Sequence, residues 1–78
     1  MAAVQLVEGG QAHDVFEVVE LTDTLARVRT AFLFDLGEDM TLRIERNGAT
    51  FEVPARVRAH VGTGADKITE LELGEQLA

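Results

Sequence analysis

Cysteine, serine, tyrosine and tryptophan are absent from this 78-residue chain, and its only proline is Pro54. The absence of cysteine excludes disulfides and thiolate metal sites, and is compatible with a reducing cytoplasm. Without serine and cysteine the common nucleophiles of covalent catalysis are missing, and without tyrosine and tryptophan so are two side chains that stack on nucleic-acid bases. The only histidines are His13 and His60, and single histidines on predicted exposed strand positions are more often surface residues than metal ligands. We therefore expect neither an enzyme nor a metal site.

Basic charge and long apolar runs are also scarce. Seven Lys and Arg residues face fourteen Asp and Glu residues, which gives a net charge of −7. Because binding to phosphates needs a positive field, this balance argues against a nucleic-acid partner. The N-terminal residues show no signal-peptide pattern, and no apolar run reaches the ~20 residues that span a bilayer. The sequence therefore predicts a cytoplasmic protein without a membrane partner.

The length of the chain fits one domain, residues 1–78. A domain of this size buries only about 60% of the surface that its unfolded chain exposes, so the core is small. Since no disulfide or thiolate metal site can reinforce that core, self-association is the remaining reinforcement, and a homo-oligomer stays open as an alternative.

A β-hairpin around Asn47-Gly48 is the clearest local structure in the sequence. This dipeptide suits a two-residue type I′ turn, in which both positions need positive φ. Pairing outward from the turn places apolar residues opposite one another on one face, namely Ile44 and Phe51, Leu42 and Val53, and Met40 and Ala55. On the other face Arg43 meets Glu52. This pattern is typical of an antiparallel sheet with one face on a core.

Turn residues and alternating polarity predict an all-β fold of six strands without a convincing helix, at residues 3–8, 13–22, 25–30, 40–46, 50–61 and 67–73. The fifth strand alternates most clearly, with Phe51, Val53, Ala55, Val57, Ala59 and Val61 inward and Glu52, Arg56, Arg58 and His60 outward. Pro54 cannot donate a backbone hydrogen bond, which predicts an edge position or a bulge there. Residues 62–66 are predicted to form a mobile turn.

Residues 31–39, which we call the apolar connection, link the third and fourth predicted strands. They carry more large apolar side chains than a free loop usually has: Phe32, Leu33, Phe34 and Leu36. Such side chains either cover one end of the sheet or form an exposed patch that docks a partner. We expect them to cover the end of the sheet.

Six of the seven cations are arginines, and they fall in three pairs: Arg27 with Arg29, Arg43 with Arg46, and Arg56 with Arg58. Members of the first and third pairs lie two residues apart, so each of these pairs shares one face of a strand. One interpretation is that the arginines face solvent and balance neighbouring acids. The other is a small anion site at one rim of the fold.

The order of the elements and three short motifs resemble a PilZ domain. Residues 36–42, LGEDMTL, are similar to the pattern pxGxxvxL before that family's central hairpin. Residues 51–58, FEVPARVR, are similar to its hxhxgxVxR strand, and residues 69–73, TELEL, stand where it has its last motif strand, GhxFhxh. The resemblance covers residues 14–73, and it implies a small six-stranded antiparallel β-barrel with a role in bacterial signalling or motility regulation.

PilZ domains commonly bind cyclic di-GMP through an RxxxR segment ahead of the barrel and a D/NxSxxG motif at its start. The resemblance places Glu20, Thr22 and Leu25 on the Asp, Ser and Gly positions, and Leu25 adds bulk where the ligand would lie. Residues 1–26 contain no Arg or Lys, so the RxxxR segment is missing. Each lost charge-assisted hydrogen bond removes roughly 1.5–3 kcal/mol. We therefore disfavour cyclic di-GMP as a ligand and expect no cofactor.

Two hypotheses follow from this resemblance. The first is a degenerate PilZ-like module that acts through an unidentified protein partner, with candidate contact residues Phe32, Phe34, Arg56 and Arg58. The alternative is a cyclic di-GMP receptor with a non-standard site, whose remnant residues are Glu20, Thr22, Arg27 and Arg29. In that case Arg27 and Arg29, a partner's arginines, or an RxxxR segment outside these residues would replace the missing cations.

Overall fold

The computed structural model describes residues 2–62 and 67–75, so residues 63–66 of the predicted turn at 62–66 lie outside the described part. The described residues form seven strands and no helix: β1 (Ala3–Glu8), β2 (Gln11–His13), β3 (Glu17–Leu21), β4 (Leu25–Arg29), β5 (Asp39–Arg46), β6 (Ala49–Val61) and β7 (Ile68–Leu73). They build one sheet in the order β2-β1-β5-β6-β7-β4-β3, and every pairing is antiparallel. The all-β antiparallel prediction is confirmed. In this part of the chain the sheet is not closed, so the predicted barrel is not confirmed.

The β5–β6 hairpin has the register that the sequence predicted. Ile44 pairs with Phe51, Leu42 with Val53 and Met40 with Ala55 on one face, and Arg43 pairs with Glu52 on the other. Asn47 and Gly48 have φ angles of 54° and 79°, as a type I′ turn requires. Because a slip of one residue would turn every apolar side chain to solvent, the buried face fixes this register.

One face of the sheet supplies the hydrophobic core. The buried apolar side chains come from the strands and from one residue between β2 and β3, and they are Val4, Phe16, Ala26, Val28, Leu42, Ile44, Val53, Ala55, Val57 and Leu71. In β4 Ala26 and Val28 point inward and Arg27 and Arg29 outward, as the alternation predicted. Full burial of one such Val, Leu or Ile side chain contributes roughly 1.5–3 kcal/mol, so ten residues make a compact but small core.

The single strand predicted at residues 13–22 is wrong. β2 ends at His13 and β3 begins at Glu17, and the three residues between them leave the sheet. Phe16, the last of these three, is 8% exposed and joins the core. A bulge between Val18 and Glu20 then places Val19, which is 42% exposed, outside the regular alternation. The break after β2 and the bulge at Val19 each interrupt the alternation, so the apolar residues of this stretch follow no regular period.

A bulge in β6 changes which side chains face the core. Val57 pairs with Leu71 but Ala59 pairs with Glu70, so Arg58 is an extra residue in the strand. Beyond this point the alternation is reversed, because side chains in a strand alternate with a period of two. His60 therefore pairs with buried Thr69 and is half-buried, while Val61 is 47% exposed. The predictions of an outward His60 and an inward Val61 are wrong for this reason.

Pro54 lies at the end of the β6–β7 ladder, which begins one residue later at Ala55 and Leu73. Its carbonyl oxygen accepts a hydrogen bond from the amide of Gly74 at 2.8 Å. A Cβ atom on Gly74 would lie 2.8 Å from the Pro54 ring, so glycine permits this close approach. The prediction of an edge position or a bulge at Pro54 is wrong, because β6 lies between β5 and β7 and its bulge is at Arg58. The missing donor of proline is tolerated because it falls where the β6–β7 ladder ends.

Candidate functional site

Arg27 is held between two carboxylates on the outer face of β3, β4 and β7. Its Nε donates a hydrogen bond to Glu70 Oε2 at 2.9 Å, and Nη2 lies 2.7 Å from the same oxygen. Nη1 donates to Glu20 Oε1 at 3.3 Å. The hydrogen bond and charge of Glu70 raise the pKa of Arg27 above its ordinary value, with a smaller effect of Glu20. The guanidinium is therefore already engaged on both of its edges.

Arg29 lies two residues further along the same outer face of β4. Its Nη1 is 3.5 Å from Glu17 Oε1, across the β3–β4 pair. The carboxylate of Glu17 is largely exposed, so this ion pair contributes little to stability. Together the two arginines face three carboxylates, and this face carries no excess positive charge for an anion.

Thr22 closes the turn between β3 and β4. Its hydroxyl oxygen accepts hydrogen bonds from the amides of Leu25 at 3.0 Å and Thr24 at 3.3 Å. The hydroxyl also lies 3.3 Å from the carbonyl oxygen of Leu25, to which it donates. The Thr22 side chain is thus occupied by the local turn, which is a common use of threonine at such positions.

Of the four candidate cyclic di-GMP residues, the structure pairs only Glu20 and Arg27 with each other. Glu20 contacts Arg27, and Arg29 contacts Glu17 instead of the other candidates. Thr22 uses its hydrogen bonds within its own turn. A bound dinucleotide would have to displace Glu20, Glu70 or Glu17 from these arginines and overcome the repulsion of those carboxylates.

Ion pairs of this kind engage most arginines in the described part of the chain. Arg27, Arg29, Arg43, Arg46 and Arg56 each lie within ion-pair distance of a carboxylate. Arg56 Nε donates to Asp39 Oδ1 at 2.9 Å, and this bond raises the pKa of Arg56. Arg58 is the exposed bulge residue. The geometry favours the interpretation that arginines balance neighbouring acids.

The apolar connection, which ends at Glu38 because β5 begins at Asp39, presents three large apolar side chains to solvent, and Leu36 is one of them at 65% exposed. Phe34 packs against core residue Phe16, with ring centroids 5.9 Å apart. The ring of Phe32 packs at a tilt against that of Phe34, with centroids 6.3 Å apart. Phe32 nevertheless remains 58% exposed, and Leu33 is 75% exposed. The expectation that the whole segment covers the end of the sheet therefore holds for Phe34 and is wrong for Phe32, Leu33 and Leu36.

His60 fixes the middle of the apolar connection to the sheet. Its Nε2 lies 2.8 Å from the carbonyl oxygen of Phe34, and its Nδ1 lies 3.2 Å from Thr69 Oγ1. A carbonyl only accepts, so Nε2 carries the hydrogen, and in the neutral ring Nδ1 accepts from the Thr69 hydroxyl. Both ring nitrogens are thus satisfied, and the bulge that turns His60 inward also places Phe34.

The second half of the apolar connection is fixed by backbone hydrogen bonds to β6. The amide of Gly37 donates to the Val57 carbonyl at 2.8 Å, and the amide of Val57 donates to the Glu38 carbonyl at 2.9 Å. Within the segment the Asp35 amide donates to Glu38 Oε1 at 3.1 Å. The segment is therefore anchored from Phe34 onward, and the exposed Phe32 and Leu33 lie between this anchor and the end of β4.

Two grooves lie on either side of Phe32, and both are also lined by Val15. The larger groove, of about 890 Å³, is bounded by the start of β3, the end of β4 and the start of β7. The smaller, of about 650 Å³, lies against the β1–β2 hairpin, with Leu6 and Phe34 in its apolar lining. We call Phe32, Leu33 and these two grooves the docking face.

The sequence did not predict the positions of two residues in this region. His60 was assigned to the outer face, and no signal in residues 57–61 marks the extra residue Arg58. Val15 was placed inside a strand, and the turn after β2 contains neither Gly nor Pro to mark it. In contrast, Phe32 and Phe34 were named as candidates, although consecutive apolar residues do not tell which one is buried.

No family model matches the chain, and neither a curated protein nor a solved structure matches it. Across residues 2–62 and 67–75 no His, Asp and Glu side chains gather in a group of three or more that could hold a metal ion. The same residues include no helix with the length and apolar character to cross a membrane.

Proposed function

We propose that this chain is a non-enzymatic, PilZ-like interaction module of bacterial signalling or motility regulation, which acts in the cytoplasm by docking a protein partner at the docking face. The observation that carries the proposal is that Phe32 and Leu33 remain exposed directly before the anchored residues 34–38. Large apolar side chains that stay exposed on an ordered segment, beside grooves, are typical of protein interaction sites. Because the segment is held by His60 and β6, little conformational entropy would be lost on docking.

The arrangement of charges supports a partner over a cyclic dinucleotide. Arg27 and Arg29 are bonded to Glu20, Glu70 and Glu17, so phosphate binding would first have to break these pairs. Cyclic di-GMP carries two phosphates, and a site without unpaired cations gives it no electrostatic gain. We therefore assign the outer face of β3 and β4 to stability, not to ligand recognition.

The first test is an amide-resolved NMR titration of the labelled protein with cyclic di-GMP at moderate salt. We expect no saturable shifts at millimolar ligand. Saturable shifts confined to residues 20–29 would contradict the proposal and establish the receptor alternative.

The second test compares partner capture by the wild type and by Phe32→Asp. The new charge should abolish capture, because it would have to be buried against the partner's apolar contact. Thr50→Asp is the matched control, since it adds the same charge at an exposed position at the start of β6. Arg56→Ala and Arg58→Ala test the remaining candidates, and we expect both to retain capture. Equal capture by Phe32→Asp and the wild type would contradict the proposed site.

A further inference from the structure

We propose that the occupant of the docking face is a cationic, apolar segment of a partner protein. A large aliphatic or aromatic side chain of that segment enters a groove beside Phe32, and flanking Lys or Arg side chains meet the carboxylates around it. This inference rests on the proposed function and names the chemistry of the partner at the same site.

The smaller groove has a mostly apolar lining and suits a large apolar side chain, whereas charged and apolar residues share the lining of the larger groove. Phe32 and Val15 contribute to both, so an inserted side chain would contact Phe32 on either side. Phe16 in the larger groove and Phe34 in the smaller one extend the apolar lining towards the core. A side chain anchored there would be shielded from water, as the central residues of interfaces are.

Two carboxylates without an ion pair line the grooves of the docking face, and two more follow Phe34 along the chain. Glu8 lines the smaller groove and Asp14 the larger one, while Asp35 and Glu38 follow Phe34 on the apolar connection. Among the described residues, none of these four lies within ion-pair distance of an Arg or Lys. The acids on the outer face of β3, β4 and β7 differ, because Glu17, Glu20 and Glu70 are paired with arginines.

The cations near the docking face do not balance these carboxylates. Arg29 lines the larger groove but is paired with Glu17, which leaves Lys67 as the other cation of that lining in the described part of the chain. Acidic groups beside an apolar contact attract a cationic partner and repel an acidic one. A second copy of this chain, with its net charge of −7, would meet that repulsion.

The test selects binders of the intact protein from a displayed library of random 12-residue peptides. A parallel selection on Phe32→Asp identifies and removes peptides that bind elsewhere. We expect Phe32-dependent peptides to combine a large apolar residue with two or more Lys or Arg residues. Phe32-dependent peptides without excess positive charge would overturn the inference while leaving the proposed docking function intact.

Failure of the proposed function would have a different result. If no peptide depended on Phe32, or if sedimentation showed a dimer that Phe32→Asp dissociates, the partner segment would be excluded. In the first case the docking site itself fails, and in the second the occupant is a second copy of the chain.

The charge contribution is measured with one selected peptide and isosteric variants. Asp35→Asn combined with Glu38→Gln should weaken binding of the peptide by about three- to tenfold at low salt, and added salt should reduce this difference. Gln at position 38 keeps an acceptor for the Asp35 amide, so the segment is preserved. Glu45→Gln, at an exposed position in β5, is the matched control and should leave affinity unchanged. Equal effects of the double variant and of Glu45→Gln would overturn the inference.

Discussion

The outer face of β3, β4 and β7 and the docking face treat their charged and apolar groups in opposite ways. On the first, Arg27 and Arg29 are bonded to carboxylates of neighbouring strands. On the second, Phe32 and Leu33 remain exposed, and four acids in or next to it, Glu8, Asp14, Asp35 and Glu38, have no ion-pair partner among the described residues. The two faces meet at Glu17, which lines the larger groove and is paired with Arg29. The comparison teaches that a surface whose groups satisfy one another offers little to a ligand. An ordered surface with unsatisfied groups is the better candidate for binding.

The largest effect should distinguish a buried leucine from an exposed one. Leu42 is 0% exposed, and Leu42→Ala should lower the free energy of unfolding by about 2–5 kcal/mol, because it removes buried methyl groups and leaves a cavity. Leu33→Ala makes the same chemical change at a residue that is 75% exposed, and should cost within about 0.5 kcal/mol. Urea unfolding measures both. A comparable loss at Leu33 would mean that this side chain stabilises the isolated fold, and would remove it from the docking face.

The next effect concerns the anchor of the docking face. His60→Ala should lower the free energy of unfolding by about 1–3 kcal/mol, because the Phe34 carbonyl and the Thr69 hydroxyl lose their partner. Relative to the wild type, amide hydrogen exchange should accelerate more in residues 32–38 than in β5. His13→Ala, at an exposed position in β2, is the matched control and should change neither quantity. Unchanged exchange in His60→Ala would show that the segment is held without this contact.

A smaller effect is expected for the ion pair between Glu70 and Arg27 on the outer face of β3, β4 and β7. Glu70→Gln should lower the urea midpoint, because Arg27 would lose the charge of its main partner. The loss should be less than in His60→Ala, since Arg27 is partly exposed. Glu72→Gln is the matched control two residues along β7, and its exposed side chain should tolerate the change. A larger loss at position 72 would contradict this ranking.

The smallest effect belongs to the exposed cross-strand pair of the hairpin. Arg43 Nη2 lies 3.0 Å from Glu52 Oε2, and both side chains are more than one third exposed. A double-mutant cycle with Arg43→Ala and Glu52→Ala should give a coupling energy of about 0.2–1 kcal/mol, which added salt reduces. A larger coupling that is insensitive to salt would show that the pair is shielded from solvent.

Local signals in the sequence were sufficient for the hairpin. Asn47-Gly48 specifies its turn, and matched apolar pairs on either side specify the register, so both were predicted correctly. The division of residues 13–22 was not predictable in this way, because Phe16 leaves the sheet without a turn residue to mark the point. The bulge at Arg58 is likewise set by pairing with β7, and no local residue pattern marks it.

The candidate sites were predictable to a similar extent. The pattern of arginines left two interpretations open, and the one in which they balance acids was favoured only by the structure, because the partners of Arg27 come from β3 and β7 and required the sheet order. The apolar connection was identified by composition, whereas the position of Phe34 is set by contacts with Phe16 and His60, which are distant in sequence. Composition therefore located the segment, and long-range contacts decided which of its side chains face solvent.

The extra residue Arg58 divides β6 into two parts whose side chains alternate between the two faces in opposite order. Before it, the odd-numbered residues Val53, Ala55 and Val57 face the core, and after it the even-numbered His60 does. A single extra residue therefore separates two structural roles within one strand. Side chains before Arg58 fill the core, whereas His60 after it holds the segment that carries Phe32 and Leu33.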